Sequence, residues 1–318
     1  MLVKITKRMG AIKEGPKYTL DYDATFIPTM CRGAVRKYRK NGKLDYTKIG
    51  FSPMVCMIGD LPVYISNRNG DAGSRFQIYE CLENCLNILD AQNIRIGRVI
   101  SDSAGYNKKA MAMLNMRGIK FNMRFPHKDN MGNFDKLLTQ CNSWRVTEIK
   151  TSNLIWNCEI ADIDYTMSKG FYENVPEQKY RVVAIRIPTQ KTRRKGETKE
   201  AIRNRALYKK RLRELRRKKI LKEPAKPFED KHWKVIGDYE YKFFITNDFE
   251  KGSEDVVLEY NKRGSAERKF HFMKEDFGWE LPPFSKMNEN TVFYTYSHVR
   301  LIKYRLTFVL WRQPSFQS

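Results

Sequence analysis

Residues 94–125 read IRIGRVISDSAGYNKKAMAMLNMRGIKFNMRF, two apolar runs on either side of a segment with helical spacing. Residues 94–100 form a short apolar run that predicts a β-strand ending just before Asp102. Residues 106–117 place methionine and leucine at helical spacing, and residues 119–125 again predict a strand. Strands that alternate with helices in this way indicate a mixed α/β sheet.

The segment before this stretch adds further strands and one helix. Residues 18–29, YTLDYDATFIPT, alternate apolar and polar side chains and predict a strand, whereas the basic residues 30–50 predict a loop. Two apolar runs at residues 54–58 and 61–66 flank a Gly-Asp pair, which predicts a hairpin. Residues 73–91 carry apolar side chains at helical spacing and predict a helix with one buried face.

The segment after this stretch has a different pattern of apolar and charged residues. Residues 145–190 contain short alternating runs that predict a β-rich section, and residues 239–246 predict another strand. Residues 252–275 predict one helix, and residues 301–310 predict a final strand or helix. Between them, residues 191–222 hold 16 Lys and Arg against 3 Glu, a balance of +13.

Composition restricts the kind of protein. The 318 residues are 41% hydrophobic, enough to bury a core, and a net charge of +24 predicts a polyanionic partner. Nucleic acid is the first expectation and a membrane surface the competing one. No apolar stretch approaches the length of a membrane span, no signal peptide is recognisable, and six scattered cysteines form no CxxC pair, which predicts a reducing cytosol.

Four acidic residues are candidates for a site. Asp21 and Asp23 share one face of the first predicted strand, Asp102 follows a later strand, and Glu267 lies on the predicted C-terminal helix. An Asp at the end of a strand is most often a turn-former or a helix cap. The carboxyl ends of strands in α/β sheets are also where sites are usually built.

The residues around Glu267 resemble a known signature. The spacing Tyr260-x-x-Arg263-x-x-x-Glu267, with Lys274 after six more residues, is similar to the Y-(2)-R-(3)-E-(6)-K signature of a branch of bacterial insertion-sequence transposases of the DDE type. On one continuous helix the four side chains would share a face, where the plain alternative is an exposed helix with an Arg263–Glu267 ion pair.

Two further segments resemble the same family. LDYDATFIPT looks like the strand of the first Asp, where Thr follows two residues later, which favours Asp23 over Asp21 without excluding Asp21. RVISDSAGYNKK looks like the segment of the second Asp, Asp102.

The resemblance implies a fold, a cofactor and a division of the chain. The fold is an RNase H-like mixed α/β sheet with flanking helices, interrupted by a β-rich insertion. Residues 1–144 would form the first part of the catalytic core, 145–248 the insertion with its basic segment, and 249–318 the second part of the core. Asp23, Asp102 and Glu267 would be the catalytic residues and would bind two Mg²⁺ ions, for which Mn²⁺ could substitute.

The resemblance also implies an activity and partners. Members nick transposon ends hydrolytically, form a hairpin and transfer strands through the 3′-OH, as homodimers on double-stranded DNA in the bacterial cytoplasm, associated with the nucleoid and not with membranes. Tyr260, Arg263 and Lys274 would contact DNA phosphates near the cleaved end. The basic segment would add salt-dependent contacts to DNA, through residues such as Arg193, Arg194, Lys209, Lys210, Arg211, Arg216 and Arg217.

One feature departs from the family. Members normally carry a DNA-binding domain before the first Asp, and here about twenty residues precede it. We therefore expect an N-terminally shortened member or a fragment. A truncated or inactive relative that binds DNA and regulates transposition is the alternative.

Overall fold

The computed structural model divides the chain into two compact units. The first comprises Met1–Pro126, Asp164–Val182 and Phe244–Ser318, and the second comprises His127–Ile163 and Val183–Phe243. The structure describes residues 1–31, 33–38, 44–126, 138, 141, 143–150, 155–167, 178–189, 234–263 and 266–311. The basic segment 191–222 lies outside the described residues, so its contacts with DNA stay a prediction.

The described residues form strands and helices in an alternating order. The strands are β1 (Lys17–Ala24), β2 (Ile27–Pro28), β3 (Val35–Tyr38), β4 (Leu44–Phe51), β5 (Met54–Ile58), β6 (Leu61–Ser66), β7 (Arg95–Ser101), β8 (Lys120–Arg124), β9 (Arg145–Lys150), β10 (Ile155–Met167), β11 (Gln178–Pro188), β12 (Lys234–Ile236) and β13 (Tyr239–Thr246). The helices are α1 (Leu2–Arg8), α2 (Ile78–Asp90), α3 (Lys108–Met116), α4 (Ser253–Lys262), α5 (Ala266–Glu275) and α6 (Met287–Trp311).

The first unit is built on a mixed sheet with the strand order β6-β5-β1-β7-β8-β13. β5 is antiparallel to β6 and β1, β7 is parallel to β1 and β8, and β13 is antiparallel to β8. This confirms the predicted mixed α/β sheet with flanking helices, and its order and directions are compatible with an RNase H-like fold.

The second unit is rich in β-structure over its described residues. β9 is antiparallel to β10, the sheet order runs β13-β11-β10-β9, and β12 pairs with β13. The strands predicted between residues 145 and 190 are therefore present. The proposed division of the chain into a core and an insertion stays a prediction.

The loop predicted for residues 30–50 is wrong. β3 and β4 pair antiparallel, and β4 also pairs with β2, which gives a small sheet of order β2-β4-β3. The sequence contains Asn41-Gly42 between β3 and β4, a dipeptide typical of tight hairpins. The many lysines and arginines favoured the prediction of a loop. Charged side chains are nevertheless tolerated on a strand face that is exposed to solvent.

The single helix predicted for residues 252–275 is also wrong. α4 ends at Lys262 with Arg263 as its C-cap, and α5 begins at Ala266. Gly264 in the sequence is a stop signal of the kind that ends helices. Tyr260 and Arg263 therefore belong to the end of α4, and Glu267 and Lys274 to α5. The last predicted element is helical and lies within α6.

One core cluster lies on the face of the sheet that carries the candidate acids. Asp21 pairs with Met57 and Asp23 with Val55, and both β5 residues are buried. They pack in a cluster with side chains of α5 and α6 and with Trp279. The cluster also contains Ile27, Phe270, Met273, Tyr294 and Leu301. Among the described residues, no helix is both long enough and apolar enough to cross a membrane.

The small sheet depends on a glycine, which gives a test of the fold. A Cβ added at Gly50 would lie 2.0 Å from the carbonyl oxygen of Ile27, whereas one added at Gly73 meets nothing within 4 Å. We expect Gly50→Ala to lower the free energy of unfolding by about 1–3 kcal/mol, because backbone at this distance has to move. Gly73→Ala serves as the control and should change it by less than about 1 kcal/mol. Urea denaturation followed by circular dichroism measures both, and equal midpoints for the two variants would contradict the close approach.

Candidate active site

The pairing of β1 with β7 brings the first two candidate acids to one edge of the sheet. The strands are parallel, and Tyr22 lies opposite Ser101. Asp23 and Asp102 each follow this pair by one residue. Asp102 was predicted at the end of a strand, whereas Asp23 was predicted within a strand over residues 18–29. β1 in fact ends at Ala24, and its parallel register with β7 brings the two acids together.

Asp102 is fixed by the turn that follows it. Its Oδ1 accepts a hydrogen bond of 2.8 Å from the backbone N–H of Ala104 and caps the 3₁₀ turn Ser103–Gly105. A Cβ added at Gly105 would lie 2.4 Å from Tyr22 Oη and 2.5 Å from Ser101 Oγ. This close approach presses the turn against β1 and β7, so the carboxylate of Asp102 has a defined orientation. The capping role expected of a single Asp is therefore present, together with its place beside β1.

Arg263 bridges the two acids of β1. Its Nε lies 3.1 Å from Asp21 Oδ1, and its Nη2 lies 2.7 Å from Asp23 Oδ2. The side chain of Arg263 is 12% exposed, and those of Asp21 and Asp23 are 14% and 22% exposed. The four-residue signature thus places its arginine in a nearly buried ion pair with β1, not on an exposed helix surface.

Lys269 on α5 supplies a second cation that sequence analysis missed. Its Nζ lies 3.9 Å from Asp21 Oδ2 and donates a 2.7 Å hydrogen bond to the carbonyl of Gly59 in the β5–β6 turn. Nothing local in the sequence marks this lysine, since its partners lie more than 200 residues away.

Burial dominates the electrostatics of the cluster. It raises the pKa of Asp23 to about 6, with Arg263 acting in the opposite direction and the charge of Asp102 acting in the same direction. Burial likewise raises the pKa of Asp21 above its usual value, with Arg263 and Lys269 opposing it. The two cations therefore offset only part of the free-energy cost of bringing three carboxylates together in a partly buried place. A further cation beside Asp23 and Asp102 would be stabilised.

A metal ion fits the chemistry of these groups. Hard divalent cations prefer carboxylate oxygens, and here carboxylates of two neighbouring strands meet at one edge. Among the described side chains, no group of three His, Cys, Asp or Glu is arranged to hold a metal ion. Glu267 lies in the first turn of α5, and its side chain falls outside the described part of the structure. The metal-binding set Asp23, Asp102 and Glu267 stays a prediction.

Tyr260 and Lys274, two other residues of the signature, contact strands or turns near this cluster. The Tyr260 ring packs against Phe244 with centroids 5.0 Å apart, and burial raises the pKa of its hydroxyl. Lys274 Nζ donates a 3.0 Å hydrogen bond to the carbonyl of Phe26, three residues after Asp23. The signature residues therefore do not share one helix face, yet the end of α4 and the body of α5 both reach the end of β1.

A polar network holds the α4 helix against the sheet. Arg98 on β7 forms ion pairs with Asp248 and with Glu259, the latter at 3.2 Å. Asn122 on β8 donates a 2.7 Å hydrogen bond to the carbonyl of Val256. Sequence analysis missed this network, because its members are ordinary polar residues whose partners are distant in sequence. It fixes the helix that ends at Arg263.

Comparisons with known proteins identify no family for this chain. No family model matches the chain, and no curated protein matches it. A solved structure described as the piggyBac transposase synaptic complex with hairpin DNA is similar at 9% sequence identity and a TM-score of 0.43. The likeness covers 92% of this chain and 47% of that chain, so this chain spans about half the length of the protein it matches.

The raised pKa of Asp23 predicts how stability depends on pH. The folded carboxyl titrates at about 6 and the unfolded one near its ordinary value of about 4, so between them the folded state binds more protons. The contribution of Asp23 to stability therefore falls as pH rises through this window. We expect the difference in the free energy of unfolding, Asp23→Asn minus wild type, to rise by on the order of 2 kcal/mol between about pH 4 and about pH 7.

Urea denaturation at several pH values measures this difference. Asp276→Asn is the control, because it removes an exposed carboxylate outside the cluster, and its difference from the wild type should not vary across the window. A difference for Asp23→Asn that stays constant with pH, or moves the other way, would show that Arg263 outweighs burial.

Proposed function

We propose that the chain is a metal-dependent DNA transposase that cleaves and joins phosphodiester bonds. One observation carries the proposal: Arg263, the arginine of the transposase-like signature, bridges Asp21 and Asp23 on β1, whose parallel partner β7 ends at Ser101, just before Asp102. The spacing of the signature in the sequence and the contact of its arginine with the first acidic strand are separate observations, and both support the proposal.

The proposed chemistry uses the acids as ligands and the cations as phosphate contacts. Two Mg²⁺ or Mn²⁺ ions bound by Asp23, Asp102 and Glu267 would activate a hydroxyl nucleophile and stabilise the leaving 3′ oxygen. Asp23, with a pKa of about 6, is largely ionised at neutral pH and becomes protonated in mild acid. The hydrogen bond from the backbone N–H of Ala104 holds the Asp102 carboxylate in place.

Arg263, Lys274 and Tyr260 would hold the DNA strand near the cleaved bond. The guanidinium of Arg263 is a planar donor that suits carboxylate and phosphate equally, so it can pass from Asp23 to a DNA phosphate. Lys274 reaches the end of β1 through the Phe26 carbonyl. The basic segment 191–222 would add sequence-independent affinity for the DNA backbone.

The substrate would be double-stranded DNA at transposon ends, followed by target DNA. In the order implied by the resemblance, water attacks first, and the freed 3′-OH then forms a hairpin and later attacks the target. By the same resemblance, two copies of the chain would act as a dimer on two ends.

A DNA-binding regulator of transposition without catalytic activity is the second candidate. The ion pairs of Arg263 favour it, because they neutralise carboxylates that would otherwise bind metal. Charge alone would let such a protein bind DNA. The two candidates differ in whether strand cleavage occurs.

Nicking of a supercoiled plasmid in Mg²⁺ or Mn²⁺ tests the proposal. We expect the purified chain to form nicked circles, and Asp102→Asn and Glu267→Gln each to slow this by about 100-fold or more, because several kcal/mol of charge stabilisation is lost. Asp90→Asn is the control, since Asp90 is an exposed carboxylate paired with Arg117 on the outer helices.

Electron paramagnetic resonance of added Mn²⁺ gives a readout that does not depend on activity. The wild type should bind Mn²⁺ near neutral pH more tightly than below pH 6, where Asp23 is protonated, and Asp102→Asn should weaken binding. Wild-type protein that binds DNA but neither binds Mn²⁺ nor nicks the plasmid would support the regulator instead.

A further inference from the structure

The stretch of sequence that contains the small sheet is strongly basic. Residues 30–50 contain seven Lys and Arg and one Asp, and this stretch was expected to be a loop. The basic residues are Arg32, Arg36, Lys37, Arg39, Lys40, Lys43 and Lys48. The sheet follows β1 after two residues, so it begins where the candidate acids end.

Two lysines from distant parts of the chain meet at Phe26. Lys37 on β3 places its Nζ over the Phe26 ring, 4.6 Å from the centroid, and Lys274 on α5 donates a 3.0 Å hydrogen bond to the Phe26 carbonyl. Phe26 itself is held in place, because a Cβ added at Gly50 would lie 2.9 Å from its ring. Both lysines are half-buried. The convergence therefore involves two partly buried lysine side chains, each with a defined contact to Phe26.

The two ammonium groups at Phe26 are close enough to interact electrostatically. Burial lowers the pKa of Lys274, the charge of Glu280 acts in the opposite direction, and the charge of Lys37 acts in the same direction as burial. A phosphate that lies between the two ammonium groups would be attracted by both.

We propose that Lys37 and Lys274 together bind a DNA phosphate, and that the sheet β2-β4-β3 carries the DNA strand into the candidate active site. The inference rests on the proposed function and adds Lys37 and its sheet to it. Phe26 follows Asp23 by three residues, no more than about 11 Å along the chain. The bound phosphate would therefore lie close to the cleaved bond on the same strand. The contact reads no bases, since both groups are phosphate-binding cations.

Binding of a fluorescent duplex of about 30 base pairs and arbitrary sequence tests the inference, with EDTA present to remove any metal requirement. Fluorescence anisotropy across a range of NaCl concentrations compares the full-length wild type with Lys37→Gln, Lys274→Gln, the double variant and Lys48→Gln. Lys48 is an exposed lysine on β4 of the same sheet, and its removal controls for net charge.

We expect Lys37→Gln and Lys274→Gln each to weaken binding several-fold and to lower the slope of log affinity against log salt by about 1. Lys48→Gln should do distinctly less. The loss caused by Lys37→Gln should also differ between the wild-type and Lys274→Gln backgrounds, because both lysines contact one phosphate.

A Lys37→Gln protein that binds like Lys48→Gln would overturn the inference, and so would fully additive losses in the double variant. Either result leaves the plasmid test of the proposed function unaffected. Conversely, absence of nicking together with the expected binding losses would remove the proposed catalysis and keep the phosphate site.

Discussion

The ion pairs from Arg263 to Asp21 and Asp23 are the interaction on which the candidate site depends. Parallel pairing of β1 with β7 gathers carboxylates at one sheet edge, where burial raises the pKa values of both β1 acids. Burial also acts to lower the pKa of Arg263, but the charges of Asp23 and Asp21 raise it above its usual value. Removing one partner of such a pair typically costs about 3–5 kcal/mol. The arginine thus makes this gathering of acids compatible with folding.

The ion pairs also anchor the end of α4. Arg263 reaches β1 from the C-cap of α4. Arg98 and Asn122 hold α4 against β7 and β8 through Glu259 and the carbonyl of Val256. The end of the helix is therefore held both by β1 and by the neighbouring strands of the same sheet.

Local patterns predicted most of the elements but few of the contacts. The hairpin of β5 and β6, the α2 helix and the β7-α3-β8 series were predictable, because their periodicity and turn residues are local. The placement of Asp23 and Asp102 was predictable for the same reason. Other contacts could not be predicted, because they join residues that are distant in sequence or elements that were predicted wrongly. They are the contacts of Arg263 with β1, of Lys269 with Gly59 and of Lys37 with Phe26. The two wrong elements, the loop at 30–50 and the single helix at 252–275, each contain a glycine signal in the sequence, Asn41-Gly42 and Gly264.

The geometry also bears on the choice between Asp21 and Asp23. Asp21 has two cations beside it, Arg263 and Lys269, whereas Asp23 pairs with Arg263 and lies one residue beyond the Tyr22–Ser101 pair, next to Asp102. The position beside Asp102 favours Asp23 as the metal ligand, and Asp23 is also the closer partner of Arg263, at 2.7 Å against 3.1 Å for Asp21. A metal ion at Asp23 would then replace the guanidinium charge there and free Arg263 to bind a phosphate. Because such linkage is reciprocal, a DNA phosphate that draws Arg263 away would in turn strengthen metal binding at Asp23. Assembly of metal and DNA at this edge would therefore be cooperative, through a single arginine shared between them.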